Sequence, residues 1–544
     1  MRKKTLSALL CTVAAMAVLT GCGGDKKETA AAPAEGNTTA AVTEAAKTEA
    51  ETTAAVQTEA GGEKNLVMPS ASCVANLNPL LEGYKEAAML NPIYDPLYVI
   101  DVNETRYYLA DSYEVSEDGM QITVKLKEGL KWHDGEAITA DDMIFTMDVC
   151  SDTNNGAGGT NIVILNDQPV KYEKVDDLTV KVTLPMASAS YADLLGGLTL
   201  IPEHVFEGNP SVVSAGEANM KGIGSGPYKV TEFKQDEYLL LEKYEDYYMG
   251  APSIDKVTFR IISDLSAQEV ALMNGEVNFM ELANAPAVAK YEADPNFTVV
   301  KYPEGRVNYL AVNKFCETVQ DPKVVEAVFA ALNRDEIIAG AYGDGMAESA
   351  NSIFSNVNTF YDPSVEGYTQ DVEKAKQLVK ETGLDSKTLT LYFNSERVYM
   401  KESAQIIQKQ LKNVGINLEV IPLESAGFFE KVFGTDGDYE FYLNGYGAVG
   451  DPDQVVAGMY DGTWGVNLAV SDEVSQLWKD ARTVYTPEER AAIYKQIQIQ
   501  TRDELTCYPI AYPNYVFVTT SNIKGADTIK RTPVFEDYTK LTME

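Results

Sequence analysis

The chain of 544 residues carries 81 aspartates and glutamates against 45 lysines and arginines, for a formal net charge of −36. This acidity argues against a nucleic-acid-binding protein, which needs a basic surface or stripe, and the sequence shows none. The length exceeds that of one ordinary domain, so two or more lobes are expected.

The first 22 residues have the order of a secretory signal. Basic residues at 2–4 precede an apolar stretch over 6–19, which is too short to span a bilayer comfortably. The stretch closes with Leu19-Thr20-Gly21-Cys22, which resembles the lipobox of bacterial lipoproteins, whose cysteine becomes the new N-terminus and carries lipid. We therefore expect a lipoprotein signal peptide at 1–21 and a membrane anchor on Cys22, facing outside the cytoplasm. The alternative is an ordinary leader with an incidental cysteine.

Residues 22–63 are expected to form a tether that begins at the lipidated cysteine. After Cys22 they are almost entirely Ala, Thr, Glu, Gly and Lys, and such a segment cannot bury enough apolar surface to offset its ordering entropy. As a disordered coil it would span on the order of 35 Å. Transient helix is the competing interpretation.

Four cysteines remain beyond the leader and the anchor, at Cys73, Cys150, Cys316 and Cys507. None forms a CxxC-type pair, so metal ligation is not expected, and the two histidines of the chain are too few for a histidine-rich site. Disulfides and buried free thiols both remain open. We expect no cofactor and no metal.

Strand and hairpin patterns fill the first part of the folded region. Residues 121–126 and 178–184 alternate apolar and polar positions, as half-buried strands do, and 228–230 and 238–241 flank a turn. A helix is predicted to begin at Thr139, whose hydroxyl can cap it.

Helices then begin to alternate with strands. Helices are predicted to begin at Asp321-Pro322 and at Thr486-Pro487, the latter with a capping box formed with Glu489. Strand–helix–strand patterns predict two βαβ units, over 257–282 and over 389–423. This alternation indicates an α/β architecture.

Eight segments, read together and in order, resemble the peptide/nickel-type solute-binding family of ABC importers, which includes oligopeptide- and dipeptide-binding proteins. They are 109–119, 125–135, 138–142, 224–228, 255–262, 275–277, 309–313 and 321–335. The resemblance implies a two-lobed periplasmic-binding-protein-like fold of type II, in its large three-domain variant. The expected parts are lobe I (64–106, 224–310 and 512–544), an inserted subdomain (107–223) and lobe II (311–511).

The resemblance also implies a function. The protein would enclose a small ligand, expected to be a peptide, between its lobes and deliver it to an ABC permease, acting as a monomer. The sequence has no G-x-S-x-G or HExxH motif, so no enzyme is expected. Ligand sensing by the same fold, or a non-peptide solute such as a sugar or a chelated metal, stays open as an alternative.

In peptide-binding relatives, short stretches of both lobes pair with the backbone of an extended peptide. The matching stretches here are Ser72-Cys73-Val74 and Tyr446-Gly447-Ala448. Ala448 stands where peptide binders place an aspartate for the ligand's α-ammonium group, which puts the usual anchoring in doubt. Asp451 or Asp453 would substitute if the loop were shifted.

Three further side chains are candidates for the ligand site. Trp464 and Asn467 lie in a segment that resembles the lining of the family's side-chain pockets, although core packing is an equal alternative. Arg397 stands between a strand and a helix, where a guanidinium could bind a carboxylate, or could simply be solvated. His133 is expected in a surface hairpin. The glycines of 224–228 lack the spacing of a phosphate loop and should serve packing.

Overall fold

The structure of the protein is a computed structural model. This structure describes residues 63–81, 89–100, 104–211, 216–447, 449–461, 466–528 and 537–544. The predicted signal peptide, the tether and Cys22 lie outside these residues. In the described part of the chain, no helix combines the length and the apolar character needed to cross a membrane.

The strands, in chain order, are β1 (Asn65–Ser70), β2 (Tyr98–Ile100), β3 (Thr105–Tyr107), β4 (Ala110–Val115), β5 (Gln121–Leu126), β6 (Ile164–Leu165), β7 (Gln168–Pro169), β8 (Lys171–Asp176), β9 (Thr179–Thr183), β10 (Tyr228–Lys234), β11 (Tyr238–Lys243), β12 (Lys256–Ile261), β13 (Phe279–Glu281), β14 (Phe297–Pro303), β15 (Arg306–Val312), β16 (Ala347–Ser349), β17 (Thr388–Asn394), β18 (Asn417–Leu423), β19 (Phe441–Gly447), β20 (Cys507–Thr520), β21 (Ile523–Lys524) and β22 (Thr542–Met543).

The α-helices are α1 (Ala140–Ser151), α2 (Thr160–Val163), α3 (Tyr191–Gly196), α4 (Gly216–Asn219), α5 (Leu265–Met273), α6 (Ala285–Glu292), α7 (Pro322–Ala331), α8 (Arg334–Ala341), α9 (Val372–Thr382), α10 (Val398–Asn413), α11 (Ser425–Val432), α12 (Pro452–Val455), α13 (Ala457–Tyr460), α14 (Asp472–Ala481) and α15 (Pro487–Asp503).

The names lobe I, inserted region and lobe II are kept below for the ranges expected from the sequence. The ranges expected for lobe I hold a four-stranded sheet with the order β1-β12-β11-β10. β1 and β12 are parallel, whereas β11 is antiparallel to both of its neighbours. Tyr538, Leu541 and Met543 pack into the hydrophobic core beside this sheet, so these residues also belong to lobe I.

The inserted region forms its own four-stranded antiparallel sheet, β4-β5-β9-β8. In β5 the alternation works as predicted, because Ile122, Val124 and Leu126 are buried while the residues between them face outward. Thr139 caps α1 in a full capping box with Asp142. The hydrophobic core of the inserted region also includes Leu97, which precedes the boundary expected at 107.

Lobe II carries the strand order β15-β19-β17-β18, flanked by helices. The predicted unit over 389–423 is confirmed, because β17 and β18 are parallel and α10 connects them. Apolar residues of α7, α9 and α10 pack with these strands into one core.

Two segments carry the chain between lobes I and II. The long strand β20 pairs through residues 507–511 with β15 of lobe II, and through residues 514–520 with β14 of lobe I. The second crossing is the β14–β15 connection at Glu304-Gly305. Since Arg306 already pairs with Gly447 of lobe II, this crossing precedes residue 306 rather than lying at the boundary expected between 310 and 311.

Two local predictions are wrong. β12 and β13 do not form a βαβ unit within one sheet, because β12 pairs with β1 whereas β13 pairs with β20. At α15 the Thr486 side chain caps no backbone N–H; its hydroxyl instead donates a hydrogen bond to the Glu489 carboxylate.

His133 lies in the predicted hairpin turn, between the paired residues Lys131 and Ala137, and its half-buried ring packs at the joint between the inserted region and lobe I. Its Nδ1 accepts a hydrogen bond from the Gly224 N–H at 3.1 Å, and its Nε2 lies 2.9 Å from the Gly226 carbonyl oxygen. The His133 N–H also donates to the Gly224 carbonyl at 3.0 Å. The ring is therefore a neutral imidazole with its proton on Nε2.

This joint should make stability depend on pH. Burial lowers the pKa of His133 from 6.5 to about 4. Because the unfolded chain then binds a proton that the folded protein excludes, the free energy of unfolding should fall by about 2–3 kcal/mol as the pH drops from above 6.5 to 4. Urea unfolding at several pH values measures it. Over this range the wild type should lose about 2–3 kcal/mol more than H133N, whereas H204N, which keeps His133, should match the wild type. Equal losses in the wild type and H133N would refute the assignment.

Candidate functional site

The first predicted ligand segment extends beyond the end of β1. β1 is an edge strand of its sheet. At its carboxyl end, the Ser70 hydroxyl donates a hydrogen bond to the Ser72 carbonyl oxygen at 2.7 Å, where the chain bends. Ser72 is exposed and Cys73 half-buried, whereas Val74 is fully buried in the core of lobe I. Val74 can therefore offer a ligand only its backbone, and side-chain contact falls to Ser72 and Cys73.

The second predicted segment is the carboxyl end of β19. β15 pairs with β19 along its whole length to Gly447, but in the described residues β17 pairs with it only at Phe441 and Tyr442. The other edge of β19 from Leu443 to Gly447 thus has no paired strand among the described residues, which suits the addition of an extended chain. The hydroxyl of Tyr446 points into lobe II, where it donates to the Ile353 carbonyl oxygen at 2.7 Å.

The loop that follows carries two carboxylates, and both are held by arginines. Asp451 is paired with Arg490 through two hydrogen bonds of 2.5 and 3.0 Å, and both side chains are largely buried. Asp453 is paired with Arg482 at 2.5 Å. The bidentate pairing of Asp451 with Arg490 fixes the position of that carboxylate. Both carboxylates thus already have a cationic partner in the protein, and their role at a ligand's ammonium group stays a prediction.

The same loop contacts the inserted region. The Asp451 N–H donates to the Asp193 carboxylate at 3.0 Å, and the Ser190 hydroxyl donates to the Asp453 carboxylate at 2.9 Å. A cavity of about 480 Å³ lies beside these contacts, within the usual size of small-molecule sites. It is lined by Ile100, Ala189, Asp193, Phe360, Tyr485 and Arg490, among others.

The β14–β15 crossing brings further charges to the seam between lobes I and II. Burial raises the pKa of Glu304, against the opposing effect of the positive charges of Arg306 and Arg397. The Arg306 guanidinium donates to the Gly445 carbonyl oxygen at 2.8 Å and to Asn308 Oδ1 at 3.1 Å. Arg397 is exposed at the N-cap of α10, so its charge remains available to a carboxylate at the seam.

The other candidates are placed as follows. Asn467 is fully buried in lobe II, where its amide donates to the Lys431 carbonyl oxygen and to the Tyr439 hydroxyl, both at 2.9 Å. It ties a loop to α11, which favours core packing, the alternative left open for this residue, while its contact with ligand stays a prediction. Trp464 and Ala448 lie outside the described residues. Among the described cysteines, Cys150, Cys316 and Cys507 are free thiols.

Sequence reasoning missed Glu304, Arg482 and Arg490. The segment Pro303-Glu304-Gly305-Arg306 did hold a signal, because a proline and a glycine flank charges between two strands. Arg482 and Arg490 carried no such signal, since their partners Asp453 and Asp451 stand far away in the sequence. Within the described residues, no cluster of His, Cys, Asp and Glu could hold a metal ion.

The mixed α/β fold, with its sheet β1-β12-β11-β10 and its larger sheet around β15, β19, β17 and β18, is that of a solute-binding protein of the type II periplasmic-binding class. The family model "Bacterial extracellular solute-binding proteins, family 5 Middle" matches residues 104–467. The chain therefore belongs to family 5 of the bacterial extracellular solute-binding proteins, a family of binding proteins rather than enzymes.

Similar proteins have been named from several bacteria. The dipeptide-binding protein of Escherichia coli K12 is 27% identical over 499 residues, which cover 85% of this chain and 92% of that protein. The crystal structure of the putative peptide binding protein AppA from Clostridium difficile is 34% identical, with a TM-score of 0.81, and covers 89% of this chain and 100% of that one. The ABC transporter substrate binding protein CtaP from Listeria monocytogenes is 33% identical, with a TM-score of 0.82 and the same coverages.

Proposed function

We propose that this protein captures peptides between its lobes and delivers them to the permease of an ABC importer. It does so as a lipid-anchored monomer held outside the cytoplasm through Cys22, with no catalytic step of its own. The observation that carries the proposal is the edge of β19 from Leu443 to Gly447, which has a pairing strand on one side only among the described residues. An extended peptide satisfies such an edge with its own backbone, independently of its side chains.

Three observations support a peptide as the solute. The segment Ser72-Cys73-Val74 offers backbone at the end of an edge strand on the opposite lobe. Arg397 supplies an exposed positive charge at the seam for a carboxylate. Relatives with 27–34% identity carry names that refer to dipeptide or peptide binding.

A thermal-shift experiment tests the proposal. A pool of random tetrapeptides at 100 times its apparent Kd should stabilise the mature protein by about 2.7 kcal/mol, because ligand that binds only the folded state shifts the unfolding equilibrium. Sugars and histidine-chelated nickel at the same concentration serve as controls. No shift with peptides, together with a shift for another solute, would contradict the peptide assignment and leave the capture function intact.

A non-peptide solute is the second candidate. Ala448 supplies no carboxylate at the position where peptide binders were expected to hold an aspartate, and both Asp451 and Asp453 are paired with arginines. A solute without an ammonium group would need no such partner. The thermal-shift comparison separates this candidate from the first.

A further inference from the structure

The inserted region is tied to lobe I by several hydrogen bonds. The Leu77 N–H of lobe I donates to the Asn219 carbonyl oxygen at 2.9 Å, and the side-chain amide of Asn78 donates to Asn219 Oδ1 at 3.0 Å. The His133 N–H donates to the Gly224 carbonyl oxygen at 3.0 Å. These bonds hold the inserted region and lobe I together as one body. A contact from the inserted region to lobe II therefore joins the two sides of the proposed ligand cleft.

Residues 188–193, which we call the bridging segment, make such contacts. The Ala189 N–H donates to the Arg482 carbonyl oxygen at 3.1 Å. In the other direction, the Asp451 N–H of lobe II donates to the Asp193 carboxylate at 3.0 Å. The bonds thus run from both sides, and they connect the bridging segment with two separate loops of lobe II.

Ser190 lies at the centre of the bridging segment. It is the N-cap residue of α3 and is fully buried, yet its hydroxyl caps no backbone N–H of that helix, all of which lies in the described part of the chain. A serine in this place ordinarily accepts a hydrogen bond from its own helix. Here the hydroxyl donates to the Asp453 carboxylate at 2.9 Å and accepts a hydrogen bond from the side-chain amide of Gln454 at 2.7 Å. Because both partners belong to lobe II, this hydroxyl serves the contact between regions rather than its helix.

The turn between β4 and β5 supplies a further contact with lobe II. A Cβ on Gly119 would fall only 2.0 Å from Cζ of Tyr485, so the tyrosine ring lies directly against the glycine backbone. Tyr485 and Arg482 belong to the same short stretch between α14 and α15. The inserted region therefore meets this stretch at two separate places, which fixes its orientation as well as its distance.

The cavity of about 480 Å³ is lined from both sides of this contact. Ala189 and Asp193 of the bridging segment form one wall, and Phe360, Tyr485 and Arg490 of lobe II form another. Because both regions supply walls, this space is enclosed only while the contacts between them hold. Breaking the contacts would open it to water.

We propose that the bridging segment is a latch, in which Ser190 fastens the inserted region to lobe II and so slows the release of a solute enclosed between the lobes. Ser190 is a positioning residue in this role, because it acts through Asp453 and Gln454 and not on the solute. The latch consists of hydrogen bonds and involves no covalent step. Only its effect on release rests on the capture function proposed above.

Two backbone amides report on the latch directly, because Ala189 and Asp451 donate their N–H groups across it. Hydrogen exchange of the mature protein without added solute, resolved to single residues by mass spectrometry, should show both amides protected in the wild type. In S190A both should exchange about 10- to 100-fold faster, since a lost buried bond to a carboxylate shifts the opening equilibrium by that factor. Q454A should accelerate exchange less, and adding it to S190A should give no further rise.

The matched control is T146V. The Thr146 hydroxyl is buried in α1, where it donates to the Asp142 carbonyl oxygen at 2.7 Å and accepts a hydrogen bond from the Ile201 N–H at 3.0 Å. T146V thus removes a buried hydroxyl within the inserted region and should leave exchange at both reporter amides unchanged. Unprotected reporter amides in the wild type, no acceleration in S190A, or equal acceleration in T146V would each overturn the latch.

Release of solute is measured separately. Tetrapeptides that carry a small fluorophore are bound to the protein and then displaced by an excess of unlabelled tetrapeptides, while fluorescence anisotropy follows their release. S190A should release them faster than the wild type by a factor similar to that seen in exchange, whereas T146V should match the wild type. Equal release rates for S190A and the wild type would overturn the role of the latch in retention. If the wild type binds no tetrapeptide, the proposed peptide function fails, while hydrogen exchange still decides whether the latch exists.

Discussion

Replacing Arg490 by methionine should destabilise lobe II by about 3–5 kcal/mol. Its guanidinium is the bidentate partner of Asp451, and both side chains are at most 10% exposed. The variant leaves a buried carboxylate without its counter-charge, which is among the largest single-residue penalties known. Urea unfolding followed by tryptophan fluorescence measures it, because the buried Trp478 packs 5.5 Å from Tyr494, a neighbour of Arg490.

Two further variants separate the buried charge from general effects. K323M breaks the exposed pair between Lys323 and Glu381 and should cost less than about 1 kcal/mol. The double variant R490M/D451N removes the stranded charge and should recover a substantial part of the loss. If R490M unfolds no more readily than K323M, Asp451 and Arg490 are not the buried pair that fixes this loop.

That pair also explains why the loop at the seam was hard to assign from the sequence. Asp451-Pro452-Asp453 reads as two available carboxylates, and nothing nearby in the chain indicates otherwise. Arg482 and Arg490 reach them only because α14 and α15 pack beside the loop. A pattern within one segment cannot show a partner that tertiary packing supplies.

Local periodicity succeeded wherever the structure it predicts is itself local. The strand over 121–126 and the helix capped by Thr139 follow from spacings of two to four residues, and both are present. The unit β17-α10-β18 was also correct, because its two strands are neighbours in both sequence and sheet. For β12 and β13 the same reasoning failed, since β13 pairs with β20 near the other end of the chain.

In the candidate site, too, the sequence located segments but not the contacts that distant residues make with them. The resemblance located the backbone segments Ser72-Cys73-Val74 and Tyr446-Gly447-Ala448, whose role as ligand contacts stays a prediction. For Asn467 the sequence left core packing and ligand contact open, because its burial depends on partners distant in the chain, the Lys431 carbonyl oxygen and the Tyr439 hydroxyl. The role of a charged residue between the two lobes can be assigned only when the residues on both sides have been placed.

Substituting alanine for Gly224 should cost at least about 3 kcal/mol, at the upper end of overpacking effects. A Cβ at this position would lie 2.0 Å from the Ile93 carbonyl oxygen, a backbone atom that cannot rotate away. The segment would have to move, and the hydrogen bonds of Gly224 with His133 would be lost with it. Differential scanning calorimetry measures the loss as a lowered Tm.

G427A is the matched glycine control, because a Cβ there meets no atom within 4 Å and the residue lies inside α11. It should be neutral or stabilise the protein by up to about 1 kcal/mol, as alanine favours a helix over glycine. The contrast distinguishes two reasons for a glycine-rich segment at 224–228. If close packing within lobe I, of Gly224 against Ile93, requires the glycine, G224A lowers the Tm without any added ligand. If G224A matched G427A, the close approach to Ile93 would have to be abandoned as the reason for glycine at this position.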